Sequence, residues 1–338
     1  MAGLKAIKIK IRSIEKTQKV TKAMEAVSAA KMRKAQGRAF AGRAYARAAV
    51  SILARVSGSR ELASHPLVCG TFERGAVATP TDSSHRLSAG IPIAPRSALY
   101  IVITSDKGLA GALNSAVLRA TAADIKASGL LQKNVPIIAV GRKANDFFTA
   151  RGFTVVSYQP NTDQIDPDFI TELVHQAAAL FQQGEVEVVK VAYQNFISTF
   201  EQRPTLRTIF PLSLTELEKV VNDIQATKRD VAAMPSNSRG EELQGVAATS
   251  RIANYTVEPS EAEVLAAILP RLASIFVYHA LLEAQASEHS ARMVSMKSAS
   301  DKAVELTDKF TLQFNKARQA AITREVSEIT GGMEAMAN

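Results

Sequence analysis

The 338-residue chain has no tryptophan, a single cysteine (Cys69) and little aromatic content, 6% of residues. One cysteine excludes an intrachain disulfide, and a reducing compartment is the default expectation. No HExxH or CxxC occurs. The five histidines, His65, His85, His175, His279 and His289, lack metal-ligand spacing, so no metal site is expected. The nucleotide fingerprints GxxxxGK[ST] and GxGxxG are missing, as is the GxSxG nucleophile elbow. No uninterrupted run of about 18 apolar residues is present, so no membrane span is expected. The first apolar residues alternate with lysine, which argues against a secretory signal. These absences together predict a chain that performs no covalent chemistry by itself.

Acidic residues are also scarce at the start. The first sixty residues carry fifteen Lys and Arg against only Glu15 and Glu25, whereas the whole chain is +9, so the remainder is net acidic. A basic segment of this kind suits a polyanionic partner: nucleic acid, an anionic membrane surface, or acidic protein loops. No proline interrupts it before Pro66. Residues 4–57 read as one long helix. Leu4, Ile7, Ile11, Ile14, Gln18 and Thr21 recur at 3/4 spacing, after which the apolar stripe moves to Val20, Met24 and Val27. Ala26, Ser28, Ala29 and Ala30 would let a partner helix approach closely.

The C-terminal part is helical too. Ser260, Glu261 and Glu263 form a helix start, Pro270 marks a kink or restart, and Gly331 and Gly332 an end. Residues 271–330 alone would span about 90 Å. Met293, Met296, Ser300, Ala303, Thr307, Phe310, Phe314, Ala317 and Ala321 step 3,4,3,4 throughout, which implies a left-handed supercoil with another helix. The N-terminal helix is the other long helix, so both chain ends are expected to meet.

Between them, residues 98–212 alternate strands with helices. "ALYIVIT", "PIIAVG", "TVVSYQ", "VEVVKVAYQNFIS" and "TLRTIFPL" read as strands; Asp166 and Pro167 open a helix. A mostly parallel sheet with helices on both faces follows. The turn "ITSDKGLAGALN" admits two readings, a phosphate cradle on helix amides or an ordinary tight strand-to-helix turn. The segments 61–97 and 213–256 are irregular and polar and read as insertions or linkers. The expected division is therefore 1–60, 61–97, 98–212, 213–256 and 257–332.

"MAGLKAIKIKIRSIEKTQKVTKAMEAVSAAKMRKAQ" resembles the N-terminus of the gamma subunit of F-type ATP synthases. "ASEHSARMVSMKSASD", followed by "NKARQAAITREVSEITGG", resembles its C-terminus, and "ITSDKGLAGALN" and "YTVEPSEAEVLAAILP" resemble its central turn and the opening of its last helix. The resemblance implies an α/β fold in which a long antiparallel coiled coil of the terminal helices joins a central Rossmann-like domain. It implies a non-catalytic central-stalk rotor that carries torque between a proton-driven c-ring and three alpha and three beta subunits, with the epsilon subunit alongside. Nucleotide and magnesium would sit on alpha and beta, with no cofactor on this chain. Nucleic acid and direct membrane insertion are not expected.

The resemblance also assigns residues. Lys22, Met24, Lys31, Arg33 and Lys34 match the face touched by the acidic lever of beta; coiled-coil packing is the other reading for Met24. Arg318, Gln319 and Thr323 match the catch that hydrogen-bonds a beta loop in one rotary state. Residues 319 and 323 are i, i+4 and share a face. Ile7, Ile11, Ile14, Met293, Met296, Phe310 and Phe314 are the expected seam. Ser300 and Lys302 depart from the family pattern, while Asp301 keeps it. The insertions 61–97 and 219–250 are longer than the family leads one to expect, and residues 61–97 are candidates for touching epsilon or the c-ring. No transit peptide precedes the family start, so the cytoplasmic face of a bacterial plasma membrane is expected; an organellar origin stays open. The rival classes are a nucleic-acid binder with a basic arm and a nucleotide-dependent enzyme, the latter disfavoured by the missing glycine fingerprint.

Overall fold

A computed structural model describes residues 2–56, 65–69, 96–212 and 260–337. Most of the two irregular segments, including 219–250, lies outside the described residues. The chain divides into two compact units. One comprises Met1–Met32, Leu109–Gly111 and His289–Asn338; the other comprises Arg33–Gly108 and Ala112–Glu288.

The second unit is built on a five-stranded sheet in the order β3-β2-β1-β4-β5. Its strands are β1 (Ala98–Ile103), β2 (Ile137–Val140), β3 (Val155–Gln159), β4 (Val188–Phe196) and β5 (Gln202–Phe210). The first four are parallel, and β5 joins β4 antiparallel. Ile101 stands opposite both Ile138 and Val191, so the centre of the sheet is a row of β-branched side chains. Every residue of β1 and β2 is buried, as expected of strands covered on both faces.

The cover on one face is α3 (Leu113–Ala127) and α4 (Arg142–Thr149). Val117, Leu118, Ile125, Ala144 and Phe148 meet Tyr100, Val102, Ile137 and Ala139 there. The other face carries α5 (Pro167–Gln182) and the first part of the last helix, α6 (Glu261–Ala337). Asp166 caps α5 by accepting from the Asp168 amide at 3.0 Å, with Pro167 at the first helical position. Leu67 of the short helix α2 (Pro66–Cys69) is fully buried in the same core.

The expected end of α6 is corrected: it does not stop at Gly331 and Gly332 but continues to Ala337. Pro270 lies inside it, which excludes the restart of the two readings offered for that residue. An 18-residue window within Glu263–Gly331 also reaches a mean hydropathy of 1.7, so by length and composition α6 is apolar enough to cross a membrane, contrary to the expectation of no such stretch. The reading missed it because Arg271 and polar residues interrupt the run. The apolarity is that of a core helix: Leu265, Leu269, Leu272, Ala273, Val277 and Leu281 are buried in the sheet core.

In the first unit, the part of α1 (Ala2–Val56) up to Met32 and the part of α6 from His289 form the antiparallel coiled coil. The Lys10 ammonium lies 5.8 Å from the centre of the Phe310 ring, which fixes the register between them. On α6, Met296, Ser300 and Ala303 are buried, and Met293, Thr307, Phe310, Phe314, Ala317 and Ala321 are half-buried. On α1, Leu4, Ile7, Ile11, Ile14 and Gln18 are half-buried, and Thr21, Ser28 and Met32 are buried. The apolar stripe does not move to Val20 and Val27; these are 58% and 56% exposed, against 3% for Ser28. The seven-residue period of α1 therefore runs through polar positions, with Gln18, Thr21 and Ser28 on the inner side.

Candidate functional site

The strand order reverses at β1. The chain steps from β1 to β2 and β3, then returns to β4 on the other side of β1. In doubly wound sheets such a switch point is where ligands bind, outside the carboxyl ends of the strands. Here that position holds the "TSDKGLAG" turn, and its polar groups are tied to one another. The Ser105 amide donates to Asn114 Oδ1 at 3.0 Å, Asn114 Nδ2 donates to Ser105 Oγ at 2.7 Å, and Ser105 Oγ donates to the Lys107 carbonyl at 2.7 Å. Asp106 accepts from the Arg142 amide at 2.7 Å, so a carboxylate already occupies the start of α4. Leu109 and Gly111 take left-handed conformations, with φ of 65° and 59°. The arrangement supports the tight-turn reading over a phosphate cradle.

The neighbouring β2–α4 junction has no spare space either. Gly141 has φ 97°, and a Cβ there would lie 2.1 Å from the Thr104 carbonyl oxygen. That carbonyl accepts from Asn161 Nδ2 at 2.9 Å. Gln285 of α6 in turn donates to Asn161 Oδ1 at 3.2 Å and to the Thr162 carbonyl at 2.6 Å. These bonds clamp α6 to the carboxyl end of the sheet through polar groups that no periodicity in the sequence marks.

On the opposite face, Tyr100 donates to Asp124 Oδ2 at 2.6 Å, and the Lys190 ammonium reaches the same oxygen at 2.7 Å. Burial of the ring, then the hydrogen bond and charge of Asp124, hold the Tyr100 hydroxyl well above its ordinary pKa. A tyrosine locked in its protonated form and bonded to a carboxylate fixes α3 on the sheet. It is not a poised base. Among the described residues no cluster of His, Cys, Asp or Glu could hold a metal ion.

What remains is surface on the helices. Lys22, Arg33 and Lys34 are exposed, and Met24 and Lys31 are half-buried. Lys22 is paired with Glu25 at 3.1 Å, so any lever contact it makes competes with a partner on its own helix. Arg318, Gln319 and Thr323 are all exposed, while Ala317 and Ala321 between them face the seam. Thr323 Oγ1 donates to the Gln319 backbone carbonyl at 3.0 Å, an i−4 bond along the helix, and at i, i+4 spacing the two residues share one outer edge. Sequence reading missed a second stripe on α6: Ile322, Val326, Ile329 and Met333 are exposed, at spacings of 4, 3 and 4. The same heptad arithmetic would have found it one position beyond the seam.

The register explains that exposure. With residue 10 beside residue 310 and the helices antiparallel, Ala2 stands near Arg318. Among the described residues, no part of α1 stands beside the residues of α6 beyond that point, roughly 28 Å at 1.5 Å each. A lone helix with an apolar stripe is built to be covered from outside.

Residues 3–336 match the family model described as ATP synthase. The ATP synthase gamma chain of Pelotomaculum thermopropionicum is 34% identical over 99% of this chain and 100% of its own length. That of Heliobacterium modesticaldum is likewise 34% identical over the same shares. Among solved structures, a chain of the Euglena gracilis mitochondrial ATP synthase superposes with a TM-score of 0.59 at 17% identity, covering 99% of this chain and 95% of that one. A chain of the Tetrahymena thermophila central stalk and c-ring gives 0.51 at 22% identity, covering 83% and 99%. These two show the fold; the matches over nearly the whole length show the kinship, and the chain belongs to the ATP synthase gamma chain family.

Proposed function

We propose that this chain is the non-catalytic shaft of a rotary ATP synthase, seated on a c-ring beside an epsilon subunit and turning within three alpha and three beta subunits. The observation that carries this reading is the end of α6, where an unpartnered helix exposes Ile322, Val326, Ile329 and Met333. A hexamer would supply the apolar sleeve that this stripe lacks within its own chain. Below it, the basic outer face of α1 offers Lys22, Met24, Lys31, Arg33 and Lys34 to acidic levers of the beta subunits. Exposed ion pairs contribute only about 0–1 kcal/mol each, which suits contacts that must be exchanged among three partners in turn. Arg318, Gln319 and Thr323 would engage a beta loop in one rotary state. Nucleotide and magnesium are assigned to alpha and beta, and the complex to the cytoplasmic face of a bacterial plasma membrane.

The test is co-expression with alpha and beta subunits from the same source. A complex of three alpha, three beta and one copy of this chain, with ATPase activity that is lost when the chain is omitted, is the expected result. An active hexamer that excludes the chain, together with salt-sensitive binding of the chain to DNA, would instead assign the basic helix to phosphate neutralisation.

A further inference from the structure

Between α5 and the first part of α6 the second unit contains a cavity of about 740 Å³. This is the size of a small-molecule site. Ile170, Ala266, Ala267, Ile275 and Leu282 give it apolar walls. Among the described residues no Asp or Glu lines it. Arg271 and His175 also line it, and both are exposed, so they stand where the cavity opens to solvent. Among the described residues no hydrogen bond or ion pair engages the Arg271 guanidinium, and the Tyr278 hydroxyl is a further polar group on the lining. The cavity accounts for apolar residues of α6 that the core leaves uncovered: Ala266 and Ala267 are exposed, while Leu265 and Leu269, on the other side of the helix, are buried on the sheet.

We propose that this cavity binds a single-chain amphiphilic anion, a long-chain carboxylate whose hydrocarbon tail fills the apolar groove and whose head meets Arg271. The complementarity is one of charge and shape: one open apolar volume, cationic and hydrogen-bonding groups at its mouth, and, among the described lining residues, no carboxylate to repel the head. A neutral amphiphile would leave the Arg271 guanidinium facing an unpaired head. A compact anion such as inorganic phosphate would leave the apolar walls uncovered.

The full-length chain is titrated with dansyl-undecanoate below its micelle concentration. Saturable fluorescence enhancement at one probe per chain, displaced by oleate, is the expected result. Ala267→Phe fills the groove from an exposed position, and Arg271→Glu reverses the charge at its mouth. Each is expected to weaken binding at least tenfold with the thermal transition of the chain unchanged. Should Ala267→Phe disturb folding, His175→Glu on α5 tests the mouth independently and is also expected to weaken binding. The neutral probe dansyl-undecanol is expected to bind at least tenfold more weakly than the carboxylate. Absence of saturable binding, or equal affinity in the filled variant, overturns the proposal. So does flotation with phosphatidylglycerol vesicles in the absence of any binding to the monomeric probe, which would assign the patch to a lipid surface. None of these outcomes bears on the rotor reading, which is tested by assembly.

Discussion

Adjacent residues on α1, Val27 and Ser28, separate two registers of the coiled coil. By hydrophobicity Val27 belongs in the seam; by structure Ser28 does, at 3% exposure against 56%. Substituting lysine at each gives opposite outcomes. At Val27 less than half of a side chain whose full burial contributes about 1.5–3 kcal/mol is at stake, so at most about 1 kcal/mol is lost. Lysine recovers a few tenths through its better helix propensity. The net change for Val27→Lys, and for Val20→Lys by the same reasoning, is within about 0.5 kcal/mol. Ser28→Lys forces a long side chain into a buried seam position, at about 1–3 kcal/mol for overpacking. The ammonium must also be desolvated or escape along its stem, so a total of about 3 kcal/mol is expected. Urea unfolding of the full chain, followed by far-ultraviolet circular dichroism, measures both. Equal losses for Val27→Lys and Ser28→Lys would refute the register and restore a stripe through Val20, Met24 and Val27. The same Val20 and Val27 substitutions, silent in the isolated chain, are expected to impair assembly with alpha and beta, because these side chains are available only to an outside partner.

Gly141→Ala is expected to cost roughly 3 kcal/mol or more in unfolding free energy, since its Cβ would lie 2.1 Å from the Thr104 carbonyl at a φ of 97°; a loss below about 1 kcal/mol would show that the turn can shift. Tyr100 makes the fold alkali-sensitive: its folded pKa lies above the unfolded value near 10, so its contribution is complete below about pH 10 and is lost as pH rises further. Stability measured from pH 9 to 11.5 is expected to fall less steeply in Tyr100→Phe than in wild type. Replacing Arg318 and Gln319 together by Ala is expected to leave the chain folded and lower ATP-driven rotation in the reconstituted complex, and unchanged torque coupling would remove them from the catch. Ile322→Asp with Val326→Asp is expected to leave the melting of the free chain unchanged while reducing recovery of the hexamer; full recovery would mean that the tip needs no apolar sleeve.

The α6 seam was legible because its period is carried by residues whose size declares it: Met293, Met296, Phe310 and Phe314. The strands were legible because a sheet covered on both faces selects continuous apolar runs, and Asp166–Pro167 announced α5 by local chemistry alone. The α1 seam was misread after Thr21, where Ser28 holds a position that pattern reading reserves for apolar side chains and Val20 and Val27 drew the stripe away from it. The clamp of Gln285 on Asn161 and Thr162 was invisible for a different reason, since it joins residues more than 120 apart and depends on fold closure rather than on any local pattern. The Tyr100–Asp124–Lys190 contact is of the same kind. Sequence periodicity reports what a segment buries, whereas long-range polar contacts report which segments meet.

The polar stretch of the seam carries the mechanical argument. Beyond Ile14 the inner side of α1 carries the half-buried Gln18 and the buried Thr21 and Ser28 before apolar Met32 and Ala35 resume, with Glu25 turned partly inward and paired with Lys22. Across the coil, α6 offers Ser300 and Ala303. Small seam residues have few side-chain torsions, and a seam filled by short side chains resists twisting better than one filled by flexible ones. They also push the larger apolar groups, Val20 and Val27, to the outside. A shaft that carries torque needs both: an interior stiff enough to turn as one piece, and an outer face that is uneven around its axis, so that each of three surrounding partners meets a different surface at a given angle. Restoring a conventional apolar seam, for example with Thr21→Val and Ser28→Ala, is therefore expected to raise the coiled coil's resistance to urea without improving ATP-driven rotation. A parallel gain in both would mean that stability alone, and not the placement of Val20 and Val27, limits the motor.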